Sequence, residues 1–531
     1  MGSKGLSSRL SHGEQLLREL EAAGCLHAVQ LGETRHEGGL GVFATRHIAA
    51  GEPILQCPVC VLLRPPAEHA LEEAIAAFSA RSGIRVDERM QVQLMLLFER
   101  HRARLGATAG VMSSYINSLP GSDLVDSLPL SWHHKDLHRR ARGTALLSDV
   151  TTMREHLHAL SLAIKSHGDL FGDMLGEVNV NDLMWAQAIF WSRAIVLDLP
   201  KRTECLVPLL DMCNHRAGSA SELRVVGSIF ELRAGRSLRS GDEVCINYGA
   251  KGNAELLRCH GFVVPDNPAE VCPLMLSRLA PSGLTQADRD DRLRRVGKGR
   301  LRDRIFLFRG GLPETLLPVA RVMCVSEEED LIAAEDALCG RAAAGAAAAA
   351  STDKSLSTEF VTFDWSSVDW TKDDPFGGCD AVEEEAPISS SGERRTLEAL
   401  LVLLREGENA MGRLSAVEEQ QLTEVRLNFS AGLESRGGDR EADLAALVYR
   451  DGQRSLLREA RERIQSRLDW LLGLANMPLG QDDDASVRHD EGEGSRKRQY
   501  DSVTTNADAK GVDVGHDANS SKATAAPLCT L

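Results

Sequence analysis

The chain of 531 residues has few aromatic side chains, no excess of positive charge and no long apolar segment. Its formal net charge of −16 excludes a general nucleic-acid-binding protein, which needs a basic face to displace counterions from phosphates. Because no apolar run reaches the roughly 18 residues that a membrane-spanning helix needs, we expect no membrane segment. Neither nucleic acid nor membrane is therefore expected among the partners.

The twelve cysteines show no spacing typical of a disulfide framework, and the start of the chain has no signal-peptide pattern. Cys57 and Cys60 form a CxxC motif without a second pair or nearby histidines, so half-buried thiols are favoured over a zinc or redox site. No metal site is predicted. Reduced thiols indicate an intracellular compartment, cytoplasmic or nuclear, with an organelle not excluded.

The length and the apolar content of 43% favour two or three domains. We predict a first domain at 13–272, which is interrupted by a mostly helical stretch at about 65–196. A helical domain follows at 273–475. Within it, residues 340–392 are rich first in alanine and then in polar residues, which predicts a disordered insertion. Residues 480–531 have the composition of a disordered tail.

Local patterns predict several helices. Leucines and charges at helical spacing predict a leading helix from about Gly13 to Leu31. Asn181 and Asp182 are predicted to cap the apolar helix that follows them. In the second domain, the leucines in the segment 397–404 follow the i, i+3, i+4, i+7 spacing of one helical face.

The glycines of Gly39-Leu40-Gly41 do not form a dinucleotide-binding motif. A third glycine is missing at the required position, and Val42 and Phe43 begin a strand where that motif requires a helix. No helix N-terminus is therefore offered to a pyrophosphate.

Two residue pairs dominate the segment 206–262. Asn214-His215 follows a buried strand, and Tyr248-Gly249 follows another. The sequence NAELL then begins at Asn253 and leads to Gly261-Phe262. In this order and at these distances, the motifs resemble the core of a SET-domain methyltransferase, in the branch typified by the Rubisco large-subunit and actin-histidine enzymes.

This resemblance implies an α+β protein. A SET-domain β-fold with crossing, pseudoknot-like segments and a helical insertion would be followed by an all-α substrate-binding domain. The resemblance also implies S-adenosylmethionine as cofactor and a protein as substrate. The zinc-binding cysteine clusters that follow many histone-modifying SET domains are missing, which favours a folded non-histone substrate. We expect a monomer.

The cofactor-binding residues implied by the resemblance come from two segments. The backbone of the turn at Gly38, Gly39 and Leu40 would lie against the cofactor, although the family often has Glu where Gly38 stands. Asn214 and His215 would hold the adenine and amino-acid parts of the cofactor. Asp211, three residues before Asn214, would line the same pocket.

Arg193 and His260 complete the implied cofactor site. Arg193 belongs to a Ser-Arg pair whose arginine contacts the cofactor in the family, with an internal salt bridge as the alternative. His260 stands where the family commonly has Tyr. Because His titrates near neutrality, we expect this position to alter cofactor affinity or its pH dependence.

Tyr248 matches the tyrosine whose hydroxyl faces the methyl group and the target nitrogen, so it is the predicted catalytic residue. A phenol is neutral at pH 7 and can position a group by hydrogen bonding. Ile195, also assigned to the substrate site, can offer only apolar packing, which suits a lysine stem better than an imidazole. We therefore expect a protein-lysine N-methyltransferase. A histidine methyltransferase and a catalytically silent binding protein remain alternatives.

The segment 115–120, which begins with Tyr115, resembles a short motif in the helical insertion of this branch. We interpret it as a packing and turn element.

Overall fold

The fold is taken from a computed structural model. It describes residues 3–34, 39–66, 70–199, 201–216, 218–279, 284–295, 304–313, 315–324, 390–430 and 439–475. All of them lie in one compact unit, Met1–Asn476, and none in the second unit, Met477–Leu531. The predicted tail and most of the predicted insertion at 340–392 therefore lie outside the described residues. The last three residues of that insertion already belong to a helix, which begins at Ser390.

Short strands in the described residues form two four-stranded sheets and two two-stranded ones, with β1-β4-β9-β8 and β2-β3-β10-β7 as the larger orders. The strands are β1 (Leu26–His27), β2 (Val29–Glu33), β3 (Leu40–Ala44), β4 (Pro53–Pro58), β5 (Ile195–Asp198), β6 (Arg202–Cys205), β7 (Asn214–His215), β8 (Glu222–Val226), β9 (Ile229–Arg233), β10 (Glu243–Ile246), β11 (Val271–Met275) and β12 (Arg304–Phe308).

The chain crosses between the two larger sheets. After β7 it enters the other sheet as the hairpin β8–β9, and it then returns as β10. There β10 pairs antiparallel with β3 and parallel with β7, so that Cys245 lies opposite Asn214 and Ile246 opposite His215. This confirms the crossing segments that the resemblance implied.

Helices fill the predicted insertion. Those before and within it are α1 (Ser3–Ala22), α2 (Ala70–Ser82), α3 (Glu88–Arg104), α4 (Val111–Ser118), α5 (Ser122–Ser127), α6 (His134–Arg140), α7 (Ala145–Ser166), α8 (Gly168–Phe171) and α9 (Val180–Arg193). The cap of α9 lies at Asn179, two residues earlier than predicted, because Asn179 and Asp182 form a reciprocal capping box. The leading helix α1 ends at Ala22, and the rest of the predicted helix is strand because it pairs with β4 and β3.

The C-terminal part contains α10 (Asn253–His260), α11 (Gln286–Arg295), α12 (Leu316–Cys324), α13 (Ser390–Ala410), α14 (Ala416–Ser430) and α15 (Asp439–Ala475). Leu397, Leu400 and Leu404 of α13 are fully buried, as their helical spacing predicts. The strands β11 and β12, which the sequence did not predict, pair beside these helices. One hydrophobic core joins residues from Leu16 to Val244 and another joins residues from Cys272 to Leu471. The predicted domain boundary at 272/273 falls within β11 and stays a prediction.

Glu270 lies directly before β11 and packs against the long helix α15. Its side chain is completely buried, and Gln453 of α15 donates hydrogen bonds to Glu270 Oε1 (2.9 Å) and to the Val271 carbonyl (2.7 Å). Gly452 leaves room for this carboxyl, because an added Cβ would lie 3.1 Å from Glu270 Oε2. Burial raises the pKa of Glu270 from its ordinary 4.5 to about 7.

We predict that Glu270→Gln removes a pH-dependent loss of stability. The stability associated with the protonated carboxyl is complete below about pH 4.5 and is lost as the pH rises through 7, whereas glutamine cannot ionise. The unfolding free energy of the variant minus that of wild type should therefore rise by about 2–3 kcal/mol as the pH goes from about 5 to about 8.5. Denaturant unfolding at both pH values measures this difference.

The exposed residue Glu406 of α13 provides the control, since Glu406→Gln should give the same difference from wild type at both pH values. A stability difference for Glu270→Gln that does not change with pH would contradict the assignment.

Candidate active site

The pairing of β7 with β10 positions the two predicted motifs. Because Ile246 lies opposite His215, the chain leaving β10 passes the imidazole, and the backbone N–H of Tyr248 donates to His215 Nδ1 (3.1 Å). The two rings lie 5.1 Å apart between centroids. Since Nδ1 accepts this bond, the neutral His215 ring carries its proton on Nε2. The structure thus brings the Asn-His and Tyr-Gly pairs together.

Asn214 is held from both sides. Its amide Nδ2 donates to Glu243 Oε1 of β10 (2.8 Å) and lies 3.5 Å from the Leu40 carbonyl of β3. The predicted turn therefore reaches the Asn-His pair through Leu40. Gly39 precedes it and forms reciprocal bonds with Thr34. Gly38 lies outside the described residues.

The hydroxyl of Tyr248 has a fixed direction. It donates to the carbonyl of Cys213 at 2.9 Å, directly before the Asn-His pair. The tyrosine is half-buried, as are Asn214 and His215, so these groups line an accessible site rather than a closed core. The arrangement places a phenol oxygen at the point where the two crossing segments meet.

His260 completes an aromatic cluster at the end of α10. Its ring lies 4.8 Å from the Tyr248 ring and 5.9 Å from the Phe262 ring, between centroids. Burial, reinforced by the positive charges of Lys251 and Arg193, lowers the pKa of His260 to about 3. Burial also lowers the pKa of His215. The expectation that His260 titrates near neutrality is therefore wrong for this structure, and both rings are neutral at physiological pH.

Arg193, Asp211 and Tyr115 form a buried polar group. Arg193 is the last residue of α9, and it donates to the Asp211 carbonyl (2.8 Å) and lies 3.9 Å from Asp211 Oδ1. The Tyr115 hydroxyl donates to Asp211 Oδ2 at 2.5 Å. Within the described part of the chain, Arg193 Nε and Asp211 Oδ1 are enclosed and have no hydrogen-bond partner. The internal ion pair, which is the alternative role of Arg193, is present, but it leaves Arg193 Nε and Asp211 Oδ1 without hydrogen-bond partners among the described residues.

Ile195 begins β5, two residues after Arg193, and is half-buried. It lies opposite Cys205 of β6, whose Sγ is 3.7 Å from the Ile195 carbonyl. Its contact with a target side chain stays a prediction.

Cys57 is buried and Cys60 is exposed. Across the described ranges, no group of three or more His, Cys, Asp or Glu residues has an arrangement that could hold a metal ion.

Sequence reasoning missed two members of the site. Tyr115 was interpreted only as packing, although its hydroxyl bonds to a residue 96 positions later in the chain. Glu243 looked like an ordinary strand residue, yet its carboxylate fixes the Asn214 amide. A buried hydroxyl needs a partner, but the burial of Tyr115 is seen only in the structure. No signal in a single sequence therefore marked either residue.

The crossing strands are those expected of a SET-domain fold. A family model described as SET domain matches residues 39–249. This part of the chain therefore has the fold of a SET domain, as the sequence motifs predicted.

Two curated relatives extend the likeness beyond that segment. The chain is 28% identical over 301 residues to the chloroplastic ribulose-1,5-bisphosphate carboxylase/oxygenase large subunit N-methyltransferase of Nicotiana tabacum, covering 54% of this chain and 58% of that protein. It is 27% identical over 328 residues to the actin-histidine N-methyltransferase of Dasypus novemcinctus, covering 55% of this chain and 50% of that protein. The chain thus spans about half the length of these relatives.

A solved structure shares the fold over a greater length. The SET domain of the Rubisco enzyme LSMT bound to lysine and AdoHcy superposes with a TM-score of 0.63 at 20% identity. The superposition covers 90% of this chain and 98% of that chain. The fold is therefore of the LSMT type, with a helical region after the SET domain.

Two neighbouring glycines give a matched test of the site's packing. An added Cβ on Gly41 would lie 2.6 Å from Thr34 Cγ2 and 2.9 Å from Glu243 Oε1, whereas nothing lies within 4 Å of the same position on Gly39. Gly41→Ala should therefore displace Glu243 from Asn214 and reduce the unfolding free energy by ~1–3 kcal/mol. Gly39→Ala should leave it within about 0.5 kcal/mol of wild type. Thermal unfolding checks both, and equal effects would contradict this packing.

Proposed function

We propose that the protein is an S-adenosylmethionine-dependent protein-lysine N-methyltransferase that acts on a folded non-histone protein. The observation that carries this proposal is the convergence of Asn214, His215 and the Tyr248 hydroxyl at the crossing of β7 and β10. Supporting it, one similar protein is named an N-methyltransferase of the Rubisco large subunit, and a similar structure has lysine and AdoHcy bound.

The residues of the site fit such a cofactor. Three residues of the site each keep an enclosed polar atom that has no partner among the described residues: Arg193 Nε, Asp211 Oδ1 and His260 Nε2. A buried polar atom without a partner is costly, so these atoms favour a bound ligand that carries both donors and acceptors. Open space beside Gly39 is consistent with a ligand approaching the backbone there. When bound, S-adenosylmethionine supplies a methyl group that its positively charged sulfur has already activated.

The protein's contribution is to position the reacting groups and to control the charge around them. Tyr248 holds its hydroxyl towards the Cys213 carbonyl and needs no proton transfer of its own. A target lysine must arrive as the neutral amine, since its reference pKa is about 10.4. The neutral rings of His215 and His260 add no positive charge beside a cationic sulfonium or ammonium group. This arrangement suits methyl transfer without a metal ion or a covalent intermediate.

The choice of lysine rests on Ile195. This residue follows Arg193 by two positions and offers only apolar surface, which packs against an alkyl stem but gives an imidazole no hydrogen bond. The similarity to an actin-histidine N-methyltransferase keeps histidine as the second candidate. A silent binding protein is the third. It is disfavoured because Arg193, Asn214, His215 and Tyr248 are all present.

The helical region after the SET domain is proposed to present the protein substrate. It packs against the helical insertion, since one cluster of buried side chains joins Trp132 and Leu146 to Tyr449. We further propose that the protein acts as a monomer in the cytoplasm or nucleus, with an organelle as an alternative. No helix within the described ranges is long and apolar enough to cross a membrane.

Labelled-methyl transfer from S-adenosylmethionine into a cell extract tests the activity. Tyr248→Phe removes the hydroxyl that positions the reacting groups, so transfer should fall by roughly 100-fold or more. Cofactor binding, measured by calorimetry, should change only severalfold. Tyr500→Phe, which alters a tyrosine beyond the SET match, is the control and should transfer as wild type does.

Mass spectrometry of the labelled protein decides the nucleophile. We expect the methyl group on lysine, because of the apolar surface of Ile195. A methyl group on histidine would overturn the lysine assignment and leave a methyltransferase. If the wild type neither transfers the methyl group nor binds the cofactor, the silent binding protein is supported instead.

A further inference from the structure

Tyr115 reaches the site from the helical insertion. It belongs to α4, which packs against α1, and Arg9 of α1 donates to the Ser118 carbonyl at the end of α4 (3.1 Å). The Tyr115 side chain is completely buried. Its backbone carbonyl accepts from the Ser118 hydroxyl (2.6 Å), so both the helix and the ring have little freedom. Helix α4 therefore holds the Tyr115 phenol rigidly against Asp211.

The Asp211 carboxylate depends on this phenol. The side chain of Asp211 is fully enclosed, and burial raises its pKa to about 6, against the opposing effects of Arg193 and the Tyr115 hydrogen bond. Burial raises the pKa of Tyr115 well above 10, so the phenol keeps its proton and always acts as the donor. Without the phenol, Arg193 at 3.9 Å would be the nearest stabilising charge.

The buried cysteines near Asp211 do not titrate near neutral pH. Burial raises the pKa of Cys213, the second residue after Asp211, well above its ordinary value. Burial likewise raises the pKa of Cys205 of β6 to about 12. The strand β3, which packs against the turn at Leu210–Met212, contains no titratable residue. Glu243 faces Cys213 and is hydrogen-bonded to Asn214. Asp211 is thus the group whose ionisation the phenol controls.

We propose that Tyr115 is a positioning residue that keeps Asp211 ionised and oriented, so that Asp211 Oδ1 accepts an N–H group of the cofactor or of the target. This inference rests on the proposed methyltransferase function for its ligand. The physical coupling between Tyr115 and Asp211 exists in the free protein and can be tested separately.

The first test uses the free protein. Tyr115→Phe removes a hydrogen bond to a carboxylate, which should raise the pKa of Asp211 by roughly one to two units. A raised carboxyl pKa makes the stability fall as the pH rises, so the deficit in melting temperature relative to wild type should grow between about pH 5 and pH 8. Thr203→Val removes a buried hydroxyl that donates to the backbone carbonyl of Lys201 (2.9 Å), so its deficit should not change with pH.

The second test measures kcat/KM for methyl transfer as a function of pH. The kcat/KM of Tyr115→Phe divided by that of wild type should be roughly 0.1–0.5 at pH 7. This ratio should approach one near pH 9, where Asp211 is ionised in both proteins. Ionisation of the target amine is common to both proteins and cancels in the ratio. In an Asp211→Asn background, the same tyrosine substitution should lose its pH dependence.

The constant that changes in Tyr115→Phe identifies the molecule that donates the N–H group to Asp211. A weaker Kd for S-adenosylmethionine alone assigns the N–H to the cofactor, whereas a changed KM for the protein at unchanged Kd assigns it to the target. A ratio and a stability deficit that are both constant with pH would overturn the proposal and leave Tyr115 as packing. If the wild type transfers no methyl group, the proposed function fails, while the stability measurement still decides whether Tyr115 controls Asp211.

Discussion

The parallel pairing of β7 with β10 is the contact on which the site depends. Only two residue pairs form this ladder, and parallel strands need a long connection between them, which here is the excursion through the other sheet. The ladder sets Tyr248 beside His215, and the Cys213 carbonyl then fixes the phenol. Because each contact uses backbone as well as side chain, the position of the phenol depends on the crossing itself. A shift of one residue in this ladder would separate the phenol from both partners.

The charges of the site are arranged around that crossing. The imidazoles next to Tyr248 are neutral, because burial and nearby cations oppose their protonation. On the other side, Arg193 and Asp211 bring one charge of each sign, and each keeps an enclosed atom without a partner in the described structure. An unsatisfied pair of this kind costs folding free energy, so its presence is better explained by a bound polar ligand than by stability.

The sequence was informative where the signal is local or belongs to a motif. The spacing within 397–404 predicted a buried helical face, and the ordered motifs predicted which residues meet at the crossing. Local patterns failed where tertiary pairing decides: the end of the predicted leading helix became strand because β4 and β3 pair with it. They also missed the partnership of Tyr115 with Asp211, because a hydrogen bond across 96 residues leaves no spacing pattern. The pKa of His260 depends on its surroundings, which no single residue position reveals.

Residues of the sheets and residues of the helical insertion hold different parts of the site. Strand residues from β3 and β10 fix the Asn-His pair of β7, and the Cys213 carbonyl directly before β7 fixes the phenol of Tyr248. The two groups with unpartnered atoms in the described structure, Arg193 and Asp211, instead depend on helices α9 and α4 of the insertion. Helix α9 also leads directly into Ile195, whose apolar side chain favours lysine as the nucleophile. Under the proposed function, changes within the insertion should therefore alter which target is accepted, while the strand crossing, and with it the geometry of methyl transfer, stays the same.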